Sequence, residues 1–137
     1  MMRCFALCFF AFASPCAAQL PEAPKPVEGS LLDRNAADVA GTWRVALDYD
    51  DGSDPMEEEL VISSASGANM QGGFLGSTFT QSMLRKHGQD MVFFATTQDA
   101  DGPVYHSGRF QGDVIQGQSY FSGRALLLPW TGYRAEN

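Results

Sequence analysis

After Gly41, runs rich in Val, Ile, Phe, Tyr and Thr are cut repeatedly by clusters of Gly, Asp and Asn, and no segment sustains helical periodicity over three turns. That pattern predicts strands near 42–49, 56–63, 70–75, 79–85, 91–97, 104–110, 114–121 and 124–130. The turns between them fall at Asp50-Asp51-Gly52-Ser53-Asp54, Ala65-Ser66-Gly67-Ala68-Asn69, Gly76, Lys86-His87-Gly88-Gln89, Asp99-Ala100-Asp101-Gly102, Gln111-Gly112-Asp113 and Ser122-Gly123. Asp, Asn and Gly suit such places because they tolerate positive φ. Connections this short let each strand pair only with its neighbours in sequence, and a sheet of that kind removes its exposed edges by closing on itself. The expected fold class is therefore all-β: a single small antiparallel eight-stranded up-and-down (meander) barrel, with a short helical turn before the first strand. At that size the interior is filled by side chains or holds one small ligand.

The start of the chain has a different character. One charge, Arg3, precedes an apolar stretch over 4–13, followed by Ser14-Pro15-Cys16-Ala17-Ala18. This is the three-part layout of a signal peptide over 1–18, cleaved after Ala18, and the apolar stretch is too short for a membrane span of about 20 residues. The expected location is periplasmic or secreted. Lipid anchoring at Cys16 is disfavoured, because Ala13 and Pro15 occupy the flanking places where a lipobox wants Leu and a small residue. Cys4, Cys8 and Cys16 all fall in this leader, so the mature chain has no disulfide and no thiol nucleophile. A proline-rich tether over 19–29 follows, then a helical lead-in over 30–40, where Ser30 and Asn35 each stand three residues before an aspartate, and then the β domain over 41–137.

Removing the leader takes Arg3 from the nine basic side chains, leaving eight against sixteen acidic ones, a net charge of −8. Nucleic acid is thereby excluded as an expected partner, since its binding depends on Lys and Arg neutralising phosphates. No membrane span is expected either.

Motifs that carry chemistry are scarce. Counting from Asp48, the acidic stretch through Glu59 imitates a calcium loop, but Gly52 and Ser53 stand where a ligand and the required glycine belong. It reads as a solvated hairpin tip. His87 and His106 are the only histidines, too few for a zinc site without several carboxylates brought close. Ser107 and His106 are adjacent on one strand and so point to opposite faces, which removes a Ser-His-Asp arrangement with Asp101. Neither a metal, a cofactor nor a catalytic residue is expected, and the chain is not read as an enzyme.

Alternation indicates the inner face. With Trp43 inward, Val45, Leu47 and Tyr49 share its side, Leu60 and Ile62 supply the second strand, and Leu126, Leu128 and Trp130 the last. His106 alternates with Val104 and Phe110 and is expected inside. Met91, Phe93 and Ala95 compete with Val92, Phe94 and Thr96, so one apolar set is left outside whichever wins.

Gly41-Thr42-Trp43 at the first strand and Trp130-Thr131-Gly132-Tyr133-Arg134 at the last resemble the calycin pattern of lipocalin-like barrels. The resemblance implies that Arg134 seals one barrel end by stacking on Trp43. It also implies a binding module holding a small apolar or amphipathic ligand at the barrel mouth, with Trp43, Phe74, Phe94, Phe110 and Phe121 as its lining. The same Gly-x-Trp opening also resembles avidin-like barrels and the small periplasmic barrels that inhibit metalloproteases. The alternative is accordingly a protein-interaction or protease-inhibitor barrel acting through its extended N-terminal segment. A small hydrophobic ligand and a protein are the two expected kinds of partner.

Overall fold

The computed structural model describes residues 35–136. The leader, the tether and the Ser30 half of the lead-in lie outside them. A four-residue 3₁₀ turn, Ala36–Val39, opens the described chain, its first residue preceded by Asn35, whose backbone N–H donates to the Asp38 carboxylate at 2.8 Å. Strands follow at Gly41–Leu47 (β1), Met56–Ser66 (β2), Asn69–Phe74 (β3), Ser77–Thr78 (β4), Gln81–His87 (β5), Asp90–Asp99 (β6), Gly102–Gln111 (β7), Val114–Phe121 (β8) and Leu126–Arg134 (β9).

All nine belong to one antiparallel sheet in the order β4-β3-β2-β1-β9-β8-β7-β6-β5. Consecutive strands pair, as short hairpins require, and the first strand pairs with the last: Trp43 lies opposite Arg134 and Leu47 opposite Trp130. Two expectations are corrected. Nine strands replace eight, because Leu75 and Gly76, both at positive φ (54° and 73°), fold the chain back so that Ser77 and Thr78 pair with Phe74 and Gly73. The ladder also stays open, with β4 and β5 as its edges, so the sheet is an open barrel and not a closed one.

The opening has a local cause. Phe79 donates its N–H to the Gly72 carbonyl at 2.9 Å while Thr80 donates to the Thr96 carbonyl at 2.8 Å, so two successive residues hand the chain from one side of the seam to the other. Strand β3 has then used its last two residues on β4. Across the remaining seam a backbone bond joins Leu84 N–H to the Ala68 carbonyl at 3.0 Å, and the Ser82 hydroxyl donates to the Met70 carbonyl. The two edges therefore face each other with a few bonds where a ladder would carry many.

Inward positions alternate along every long strand. Trp43, Val45, Leu47, Leu60, Ile62, Phe74, Leu84, Val104, Phe110, Ile115, Leu128 and Trp130 are all buried. Of the competing sets on β6, Met91, Phe93 and Ala95 point inward, leaving Val92 and Phe94 on the outer face. Tyr49 does not share the inner face as expected, because β1 ends at Leu47 and the tyrosine is exposed. Among the described residues no helix is long and apolar enough to cross a membrane.

Candidate functional site

The interior is occupied by rings. Trp43 meets Phe110 at 5.0 Å between centroids, Phe110 meets Phe93 at 5.1 Å, and Phe74 packs edge-on against Trp130 at 5.5 Å. Trp130 fits because Gly108 and Gly117 lie beneath it: a Cβ on Gly117 would stand 2.5 Å from the indole and 2.2 Å from the Ser107 carbonyl oxygen. A polar chain threads this apolar packing. The Trp130 indole N–H donates to Ser119 Oγ at 2.9 Å, Ser119 Oγ lies 2.7 Å from His106 Nδ1, and His106 Nε2 lies 2.9 Å from Thr97 Oγ1. His106 and Ser119 are both completely buried. Burial pushes the imidazole down to about 4 from its usual 6.5, so it stays neutral and both ring nitrogens are satisfied by hydroxyls. The Ser119–His106 spacing is that of a nucleophile and its base, but a substrate has no approach to it. The chain is a strut across the core.

One barrel end is sealed by Arg134. Its guanidinium sits 4.4 Å from the Trp43 ring centroid, Nη1 donates to the Ala40 carbonyl at 2.8 Å, Nη2 donates to the Asp38 carbonyl, and Nε lies 3.4 Å from the Asp113 carboxylate. The Trp43 indole N–H in turn donates to the Val39 carbonyl at 3.0 Å. The last strand thus holds the 3₁₀ turn over the mouth, with a cation–π contact worth roughly 0.5–2 kcal/mol as one component.

The five side chains expected to line a mouth do not share one surface. Trp43, Phe74, Phe110 and Phe121 belong to the buried core, whereas Phe94 points out on the other side of the sheet and is 38% exposed. Its neighbours there are Met83, Tyr105, Tyr120 and Leu127, all exposed. The register makes them contiguous: Met83 lies opposite Phe94 on β5 and β6, and Tyr105, Tyr120 and Leu127 lie opposite one another on β7, β8 and β9. Phe94 and Tyr105 stack at 6.3 Å with their planes 25° apart. The next row, Ser107, Gln118 and Pro129, borders a shallow depression of about 660 Å³ that reaches over Gly108 and Gly117. Thr96, opposite Tyr105, is already shielded, and its hydroxyl has no partner among the described residues.

Tyr105, Tyr120 and Leu127 were not singled out by their sequence. The signal was there: each alternates with two buried or half-buried neighbours, Val104 and His106, Ser119 and Phe121, Leu126 and Leu128. What a linear reading lacks is the register that places the three side by side.

On the opposite flank a depression of about 690 Å³ is lined by Glu57, Glu58, Glu59, Arg44 and Val61, with Arg44 directly across from Glu59. In the acidic β1–β2 connection, the Asp48 carboxylate accepts the Asp50 N–H at 2.9 Å and the Asp51 carboxylate accepts the Ser53 N–H at 2.9 Å. The Ser53 hydroxyl and N–H hold the Asp51 carboxyl below its usual range. These carboxylates organise their own turn. No family model, curated protein or solved structure matches the chain.

Proposed function

We propose that this chain is an exported protein-interaction module: an open barrel whose interior is structural and whose recognition surface lies on the outside of β5–β9. The supporting observation is the partition of its aromatics. Those a ligand cavity would need, Trp43, Phe74, Phe110 and Phe121, fill the core against Trp130 and Phe93, while Phe94, Tyr105 and Tyr120 stand exposed in one strip. Tyrosine and phenylalanine clustered on a rigid surface offer large contact area at small entropic cost, the composition favoured at interface centres. The leader over 1–18 supports export.

A photo-crosslinking residue at position 105 or 120 of the exported protein tests this, with position 61, on the outer face of β2, as control. The expected result is a covalent adduct with one protein from 105 and 120 and not from 61, and a complex of the purified pair weakened at least tenfold by Tyr105→Lys. A stoichiometric small apolar molecule carried by the purified protein in native mass spectrometry, with no adduct at 105 or 120, would overturn the reading.

A further inference from the structure

We infer that the outer aromatic strip is a docking surface for polyproline II segments, and that its resident occupant is the proline-rich segment of this same chain, residues 19–29. The inference rests on the reading that recognition happens outside the barrel, and it adds the chemistry of the occupant.

The segment carries a threefold pattern. A polyproline II helix repeats every three residues, so positions 19, 22, 25 and 28 share one side and hold Gln, Glu, Lys and Glu. Positions 20, 23 and 26 hold Leu, Ala and Pro, and positions 21, 24 and 27 hold Pro, Pro and Val. One side is wholly polar and the other two are apolar. That is the distribution of a polyproline II ligand that lays two of its faces on an aromatic surface and turns the third to water.

Dimensions agree as well. Three residues of polyproline II advance about 9.3 Å, and two strand spacings amount to about 9.5 Å. Pro21, Pro24 and Val27 can therefore step across alternate strands of the sheet, the spacing that separates Tyr105 on β7 from Leu127 on β9. A polyproline II backbone has no internal hydrogen bonds, and its carbonyls need donors. Gln118 and Ser107, in the row beside the tyrosines, supply an amide and a hydroxyl on the same face.

Connectivity places the segment within reach. Asn35 and Ala36 share a surface depression with residues 65–68 of the β2–β3 turn and with Arg85, Lys86 and Met91, so the chain enters the fold where that turn faces the β5–β6 hairpin. Along β6 from Met91, Phe94 is three residues away and Thr96, opposite Tyr105, is five, about 10 and 17 Å. The eight residues from Val27 to Asn35 span up to about 26 Å when extended. The link is long enough without strain and short enough to keep the local concentration of the segment high. A protein partner using this face has to displace the resident segment.

The mature chain lacks cysteine, so Ala23→Cys accepts a single nitroxide label. In the full mature chain the label is expected to erase most of the amide signal of Phe94, Tyr105 and Tyr120 while leaving Val61 unaffected. Dilution with unlabelled chain must leave the effect unchanged, since a second copy as occupant would make it concentration-dependent. Pro21→Ala with Pro24→Ala should restore the lost signals, and Tyr105→Lys with Tyr120→Lys should do the same at Phe94. Loss of signal on another face, uniform weak broadening, or an effect that scales with concentration each overturns the inference. An adduct with a partner at 105 alongside unbroadened amides would remove the resident segment and leave the outer-face reading standing.

Discussion

A buried neutral histidine ties stability to pH in a definite direction. His106 takes a proton only near pH 4 in the folded protein, whereas in the unfolded chain it does so near 6.5. Between those values the unfolded state binds the extra proton, so stability falls as pH is lowered through that window. At about 1.4 kcal/mol per pH unit the loss comes to about 3 kcal/mol by pH 4, with nothing further from this group below it. Asp51 and Asp99, whose carboxyls are held low by the Ser53 hydroxyl and by the Asp101 N–H, act in a separate window below 3.8. His106→Gln keeps a donor and an acceptor between Thr97 and Ser119 but cannot titrate. The variant is expected to be less stable than the wild type by about 1–2 kcal/mol at pH 7. Because only the wild type loses the histidine contribution, urea unfolding curves should show that gap closing between about pH 6 and 5 and the order reversed by about 1–2 kcal/mol at pH 4; parallel pH profiles would disprove the assignment. An inward His106 could be read from its alternation with Val104 and Phe110. Its two hydroxyl partners could not, because Thr97 and Ser119 come from neighbouring strands and only register brings them to the ring.

Among the strands, glycine placement decides what the core can hold. Gly117 and Trp130 are directly opposite on β8 and β9, and the indole occupies the space a side chain would need. Gly117→Ala must push against the Ser107 backbone oxygen as well as the ring, and overpacking of this kind typically costs about 1–3 kcal/mol. The expected outcome in urea denaturation is a loss at the upper end of that range, against almost none for Gln118→Ala one residue away on the outer face; equal losses would show that Trp130 does not lie flat on the sheet. All eight expected strands have counterparts, since alternation and turn residues are local signals. Boundaries moved where the backbone did something the residue types do not announce. Ala125 adopts a left-handed conformation at φ 48° after a 3₁₀ turn at Ser122–Arg124, delaying β9 to Leu126. Strand β4 is only two residues, too short for any period to reveal.

At the level of the whole chain, the pairing of strands and their order in sequence disagree at two places. The ladder is continuous across β1 and β9, whose partners lie some ninety residues apart, as with Trp43 and Arg134, and it is broken between β4 and β5, which are adjacent in sequence. Closure was anticipated from hairpin length, an argument that treats every connection alike. It could not place the seam, which depends on Leu75 and Gly76 turning the chain back onto β3. The arrangement predicts the behaviour of a circular permutant. The last strand ends beside the first, because Ala135 donates its N–H to the Thr42 carbonyl at 2.9 Å, and the 3₁₀ turn carries the chain from there across the mouth to Asn35, near Arg85 and Met91. Joining residue 136 to residue 35 through a flexible linker long enough to cross the mouth, and opening the chain between Gly76 and Ser77, turns the most distant pairing into a local one and places the new ends beside a seam that carries few bonds. Long-range pairing must be preceded by loop closure, so a fold with fewer distant contacts should form faster. Stopped-flow refolding is expected to accelerate several-fold while unfolding free energy changes by less than about 2 kcal/mol. A permutant opened in the β7–β8 turn at Gly112 localises the β1–β9 contact equally but cuts a hairpin of eight paired positions, against two in the β3–β4 hairpin cut at Gly76, and it should lose more stability. If the Gly76 opening proves the more damaging of the two, the edges of β3 and β5 are joined in solution by a stronger interaction than the Leu84 and Ser82 bonds, and the barrel is closed after all.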